Sequence, residues 1–218
     1  MKVSTRDIQA LVRQIERKDL STAAHTWRVV LYTRALTEAA GLPPELIDRL
    51  VHAAALHDVG KVDIPDAILQ KPGPLTPQER KVMELHPTLG HQRLLAMGED
   101  DAVILNLVRH HHERVDGRGY PDQLSGDNIP PEARYFAVID SFDALTSLRP
   151  YREVVGKEAA QLAIVEIQAG MGTHYDPKCV ELFTRLYHSG TLDWILHYYN
   201  DTCEVPDFEV PQDGLPRR

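Results

Sequence analysis

The chain has 218 residues, 43% of them hydrophobic and 26% charged, ordinary globular values that exclude disorder for its bulk. That length holds one large domain, or one ordinary domain with extensions, and buries enough surface to need no staples. A formal net charge of −8 argues against a nucleic-acid polymer or an anionic membrane surface as the main partner. The unusual number is 11 histidines, most of them before residue 113.

In chain order, residues 1–18 read as an N-terminal helix or linker. Trp27, Val30, Leu31, Ala35 and Ala39 then recur at three-and-four spacing until Gly41. Pro43-Pro44 opens a second helix through Leu50, Val51 and Ala54 to His57, ending near Gly60. Thr76-Pro77-Gln78-Glu79 is a capping box that starts a helix reaching His86. Asp101 to Glu113 predicts a further helix, and Pro130-Pro131-Glu132 begins the one carrying Phe136, Asp140 and Asp143. Lys157 to Ala169 and Pro177 to His188 complete the series, the latter capped by Asp176. No run alternates with a period of two, so the fold class is all-α, a single multi-helix bundle. Loops over Val59–Leu75 and Arg114–Ile129 interrupt it, and loops of such length are more often functional than idle. The helical domain is expected over 1–188, with 189–218 a partly irregular C-terminal extension containing one short helix over Leu192–Tyr199.

No stretch has the apolar length of a membrane span, and the N-terminus lacks an apolar core of secretory type. Cys179 and Cys203 have no metal-ligand spacing, so they read as free thiols of a reducing compartment. A cytoplasmic location and no membrane partner are the expectations.

The chemistry lies in a set of His and Asp residues at helix ends and inner faces: His25, His57, Asp58, His86, His111, His112 and Asp140. Any one histidine reads equally well as a hydrogen-bonded core residue. Adjacent helical residues point about a third of a turn apart, so His57 and Asp58 serve one ion poorly and two neighbouring ions well. As a set beside Gly-containing loops, the residues point to metal. Mixed imidazole and carboxylate donors favour Fe or Mn, with Zn and Ni also suited, and the lack of usable Cys argues against structural zinc.

These residues lie in a longer ordered text: HDVGKVDIPDAILQKPGPLT at 57–76, HPTLGH at 86–91, HHERVDGRGYP at 111–121, IDSFDALTSLRPYR at 139–152 and THYDP at 173–177. In motif order and spacing, from about Asp19 to His188, the chain resembles the HD-GYP family of HD-superfamily metal-dependent phosphohydrolases. That resemblance implies an HD-type bundle with a metal site between helices and two divalent ions held by His25, His57, Asp58, His86, His111, His112 and Asp140, with Asp58 bridging. It implies that Lys61 contacts the scissile phosphate, that Arg149 and Arg152 bind phosphate near the mouth, and that Tyr120 lies at the substrate. Gly117, Gly119, Tyr120 and Pro121 match the GYP loop, tied in the family to substrate access and to contacts with signalling proteins. Two residues are read from their own positions. Asp143 sits at i,i+3 from Asp140 and reads as a ligand or as a group that orients a loop or cap; Glu113 reads as a holder of an imidazole N–H. Ser21 stands where some family members carry a third-metal Glu, which favours two ions.

The implied activity is hydrolysis of cyclic di-GMP to pGpG, and onward to GMP, by in-line attack of a hydroxide held between ions that also clamp the phosphate. Lys61 would offset the charge developing on the phosphoryl oxygens. Two alternatives stand beside it: a cyclic di-GMP receptor with little turnover, and an HD phosphohydrolase acting on another cyclic dinucleotide or nucleotide. A homodimer through the N-terminal helix is a further expectation of the family. His110 is assigned to the neighbourhood of the site; His52, His91, His174, His188 and His197 are assigned no chemistry.

Overall fold

The computed structural model describes residues 3–18, 20–147 and 156–198. Helix α1 (Thr5–Lys18) is started by Ser4, whose hydroxyl accepts from the Asp7 N–H at 3.2 Å while Asp7 Oδ2 accepts from the Ser4 N–H at 3.0 Å. Its Ile8, Leu11, Val12 and Ile15 recur at helical spacing and are buried. Helix α2 (Leu20–Ala39) is the central rod, in contact with helices on several sides. It accordingly buries Trp27, Val29, Val30, Tyr32 and Leu36, which do not fall on one face. It stops before Gly41, whose φ of +71° suits glycine. Helix α3 (Pro44–Leu56) begins at its Pro and packs along α2.

A 3-10 turn over Val59–Asp63, short α4 (Asp66–Leu69) and α5 (Pro77–Met83) follow; the Thr76/Glu79 capping box is formed as the sequence predicts. The helix expected to reach His86 instead ends at Met83, and a new helix, α6 (His86–Ala96), begins there. Pro87 stands in its first turn, where proline is tolerated, and Gly90 inside it weakens its helical pattern, so packing supplies what propensity lacks. Then come α7 (Ala102–His110), capped by Asp101 Oδ1 accepting from the Val103 N–H at 2.9 Å, and α8 (Pro131–Thr146). Next are α9 (Gly156–Ala169), α10 (Pro177–His188) with the expected Asp176 cap, and α11 (Asp193–Tyr198). Among the described residues there is no strand, only two isolated bridges.

One continuous apolar core joins these helices, from Val3 and Ile8 to Phe183. Leu192, Ile195 and Leu196 belong to the same cluster. The packed unit therefore runs past His188, where the sequence pattern weakens. Arg149 and Arg152, the expected phosphate contacts, lie outside the described residues, as does the side chain of Ser21.

Candidate metal centre

Three helix ends meet at one point, and each brings a histidine. His57 follows α3, His86 sits at the junction of α5 and α6, and His111 follows α7. Each ring donates its Nδ1–H to the carbonyl three residues upstream: Ala54 at 2.8 Å, Met83 at 2.8 Å and Val108 at 3.0 Å. These carbonyls belong to last turns that lack intrahelical partners, so the fold itself fixes the ring orientation. A carbonyl only accepts, so in the neutral form of each ring Nε2 is left as a bare lone pair.

His25, on α2, reaches the same state by a different route. Its Nδ1 bonds Asp143 Oδ2 at 2.8 Å. Asp143, fully buried on α8, also accepts from Arg28 Nε at 2.5 Å, Arg28 Nη2 at 3.1 Å and the Ser147 hydroxyl at 2.9 Å. Burial works against its charge, yet Arg28 and His25 hold the carboxyl at about 2. Asp143 thus commits its oxygens to His25, Arg28 and Ser147 and orients an imidazole, a role that its sequence position does not suggest.

The bare nitrogens then face one another. His25 Nε2 lies 3.2 Å from His57 Nε2, and His86 Nε2 lies 3.2 Å from His111 Nε2. Asp58 spans the two pairs, with Oδ2 at 3.1 Å from His57 Nε2 and Oδ1 at 3.2 Å from His86 Nε2. Asp140 Oδ1 adds a carboxylate 3.4 Å from His25 Nε2 and 4.0 Å from His57 Nε2. His112 packs on His111, ring centroids 4.2 Å apart, and on His86 at 5.0 Å. All seven residues singled out as a metal set are therefore brought together, in two clusters: His86, His111 and His112, and His25, His57 and Asp58 with Asp140 beside them.

Lone pairs aimed at lone pairs repel unless a cation lies among them. Protons fit this role poorly at His111 and His112: burial and the neighbouring imidazoles keep both well below the ordinary histidine value, His112 at about 3. At His57 burial opposes protonation, but the charge of Asp58 outweighs it and raises the value. Asp58 is itself held well below the carboxylate range; burial opposes this, and His57 and Lys61 win. Imidazole and carboxylate donors, with His25, His57, His86 and His111 held from behind, suit divalent cations.

Lys61 donates to Asp58 Oδ2 at 2.6 Å and stands at the edge of the centre, partly exposed. Its turn is seated by Gly60, where a Cβ would meet the His86 carbonyl oxygen at 1.9 Å and the Gly90 amide at 2.5 Å. Tyr120 covers the other side, its ring 4.8 Å from His112. Gly117 (φ +73°) turns the loop beneath it, and at Gly119 a Cβ would meet the Arg114 amide at 2.5 Å. Pro121 follows on a cis peptide. The loop is moored to the THYDP turn, where the Val115 and Asp116 amides donate to the His174 and Thr173 carbonyls.

Glu113 does not hold an imidazole. It accepts from the Asp122 amide at 2.7 Å and the Leu124 amide at 3.0 Å, so it ties down the GYP loop. The imidazole N–H groups of His57, His86 and His111 are already taken by carbonyls, which removes the role expected for it. His110 bonds the Asn106 carbonyl and Asp122, on the outer side of the same loop. Sequence reasoning missed Arg28, Gly60, Gly90 and Phe136, the last packed against His57 and His111 at 4.9 and 6.1 Å. Arg28 had a signal: a charge in the apolar run TWRVVLY, one helical turn from His25.

Compared with known proteins, residues 9–179 match the family model described as HD domain. The chain is 41% identical over 180 residues to the cyclic di-GMP phosphodiesterase response regulator RpfG of Xanthomonas campestris pv. campestris, covering 82% of this chain and 47% of that protein. It is 39% identical over 179 residues to 3'3'-cGAMP-specific phosphodiesterase 2 of Vibrio cholerae, covering 79% and 33%. The chain thus spans less than half the length of these curated relatives. Its fold is similar to that of the HD domain of the Listeria monocytogenes phosphodiesterase PgpH, with a TM-score of 0.62 at 19% identity, covering 86% and 99%.

Proposed function

This chain belongs to the HD domain family, and on that premise we propose that it is an HD-GYP phosphodiesterase that hydrolyses cyclic di-GMP to pGpG and, in a second step, to GMP. The observation that carries the reading is the pair of bare-nitrogen clusters joined by Asp58, with Lys61 at their edge. His25, His57, Asp58 and Asp140 would hold one divalent cation, and Asp58, His86, His111 and His112 a second, with Fe or Mn the best match to the donors. Such ions polarise the phosphodiester and activate the attacking water.

The chain's own residues do the rest. The carbonyls behind His57, His86 and His111, and Asp143 behind His25, keep four Nε2 atoms aimed inward with no reorganisation. Lys61, held beside the centre by Asp58, carries the positive charge that offsets charge building on the phosphoryl oxygens. Arg149 and Arg152 take the outer phosphate, and Tyr120 closes the side of the pocket and shields His112 from water. An acidic chain accepts an anionic dinucleotide because the local charges, not the total, set the sign there. No described helix is long and apolar enough to cross a membrane. As further parts of the proposal, the chain works in the cytoplasm, where a cyclic dinucleotide messenger would be met, and the GYP loop is its contact for signalling proteins.

The test is anaerobic loading with Fe²⁺ or Mn²⁺, followed by incubation with cyclic di-GMP, 3'3'-cGAMP and cyclic di-AMP and chromatography of the products. Cyclic di-GMP should be opened fastest. Preference for 3'3'-cGAMP, the substrate named for one relative, would reassign the nucleotide and keep the reaction. Binding without product at full metal occupancy would replace the enzyme by a receptor.

A further inference from the structure

The last residue of α1 reaches the turn that carries Lys61. The Lys18 ammonium donates to the Val62 carbonyl at 2.7 Å and the Ile64 carbonyl at 3.0 Å, and pairs with Asp66 Oδ1 at 3.0 Å. Gln70 Nε2 returns a bond to the Lys18 carbonyl at 2.8 Å. The Asp66 side chain is 64% exposed, so that ion pair is screened and contributes little. The two charge-assisted carbonyl bonds are the stronger part of the clamp.

They act at a weak point. Val59–Asp63 is a 3-10 turn, whose hydrogen bonds are poorly aligned and whose end leaves carbonyls to be satisfied from elsewhere. Its two ends are tied by the Lys61 amide to the Asp58 carbonyl at 2.9 Å and by the Ile64 amide to the Lys61 carbonyl at 3.1 Å. On one side the turn is seated on α6 through Gly60 and through Arg93, which bonds Asp63 at 2.6 and 3.1 Å. Lys18, 44 residues before Val62, fastens it from the end of α1. Ile8, Leu11, Val12 and Ile15 anchor α1 to the core, so the position of Lys18 follows the position of that helix.

We propose that Lys18 is a positioning residue for the reaction: it clamps the backbone just after Lys61, holds the Lys61 ammonium at the metal centre, and makes that placement depend on how α1 is seated. The kinetic part of this inference rests on the phosphodiesterase reading; the structural part does not.

The experiment compares wild type, Lys18→Met, Lys18→Arg, Lys61→Met and the Lys18→Met/Lys61→Met double variant, all metal-loaded. Amide exchange by mass spectrometry should speed up at Lys61 and Ile64 in Lys18→Met, while α7 exchanges at the wild-type rate. On cyclic di-GMP, Lys18→Met should lower kcat about tenfold with KM little changed, since a small misplacement of a charged group costs of that order. Lys18→Arg should restore most of the loss, because a guanidinium also offers donors to two carbonyls. In the Lys61→Met background, Lys18→Met should cost nothing further. Additive losses, or unchanged exchange across Val59–Ile64, would overturn the clamp. If wild type opens no cyclic dinucleotide, the phosphodiesterase reading has failed, and the exchange arm alone decides the clamp: faster exchange confined to the turn upholds it, and wild-type exchange overturns it.

Discussion

The two halves of the metal centre are made of different chemistry. His86, His111 and His112 form a half of imidazoles only, packed ring on ring, walled by Phe136 and covered by Tyr120. His25 and His57 form the other with Asp58 and Asp140, backed by the buried Asp143–Arg28 pair. At His111 and His112 burial and like neighbours drive the rings toward neutrality; at His57 the Asp58 carboxylate favours a proton or a cation. The first half holds neutral nitrogen at those two rings, and the second sets carboxylates beside its rings. Asp58, with one oxygen on each side, is where they communicate.

The sharpest way to break this comparison is to remove the shared residue. Asp58→Ala should lower turnover by at least about 10³-fold, and elemental analysis should find metal lost from both halves. Loss of a single ion would mean that the halves are independent. The next largest effect falls on the charged half. Arg28→Met leaves Asp143 buried without its guanidinium and should destabilise the fold by about 3 kcal/mol at neutral pH, as read by urea unfolding. The sign with pH follows from the depressed Asp143 carboxyl, held at about 2. Its stabilising contribution is complete above the unfolded value near pH 4 and is lost as pH falls toward about 2. The gap between wild type and Arg28→Met should therefore be widest at neutral pH and close across that acid window.

The sequence reads differently for these two halves as well. The helices themselves are written in proline and glycine: Pro44, Pro77, Pro131 and Pro177 each stand at the first turn of their helix, and Gly41 follows the end of α2. Helix α6 follows the same script at Pro87, but its interior Gly90 weakens the pattern and is there for close approach: a Cβ would lie 3.1 Å from the Gly60 amide. The donor histidines were legible because polar groups at helix ends beside core positions need partners. The support behind His25 was not, because Arg28 and Asp143 are 115 residues apart and no local period links them. Glu113 was misread for a related reason. Its oxygens go to the Asp122 and Leu124 amides, nine and eleven residues on, in a loop whose path no local period gives.

Acid should separate the halves without any substitution. His57 has its value raised by Asp58 against the effect of burial, so a proton competes with the cation there at a higher pH than at an ordinary histidine. His112 stays neutral down to about 3, and His111 is likewise held low. Dialysis at stepwise lower pH, followed by elemental analysis, should remove one equivalent of metal first, and that step should vanish in His25→Ala. Simultaneous loss of both equivalents would show that the electrostatic difference between the halves does not govern metal affinity.

The smallest effect concerns the carboxylate behind the imidazole half. Asp143 and Glu113 are both buried acids adjacent to the centre, but Asp143 holds a ring and Glu113 holds backbone. Glu113→Gln keeps one carbonyl oxygen for the Asp122 and Leu124 amides where the carboxylate offered two, a change of about 1 kcal/mol in loop stability. The loop it ties carries Tyr120, so KM for cyclic di-GMP should rise several-fold while metal content and kcat stay near wild type. Substituting Asp143 by Asn should do the reverse, lowering metal content on the His25 side with little change in KM. A loss of metal in Glu113→Gln would place that acid behind a ligand after all and erase the distinction between ring support and loop support.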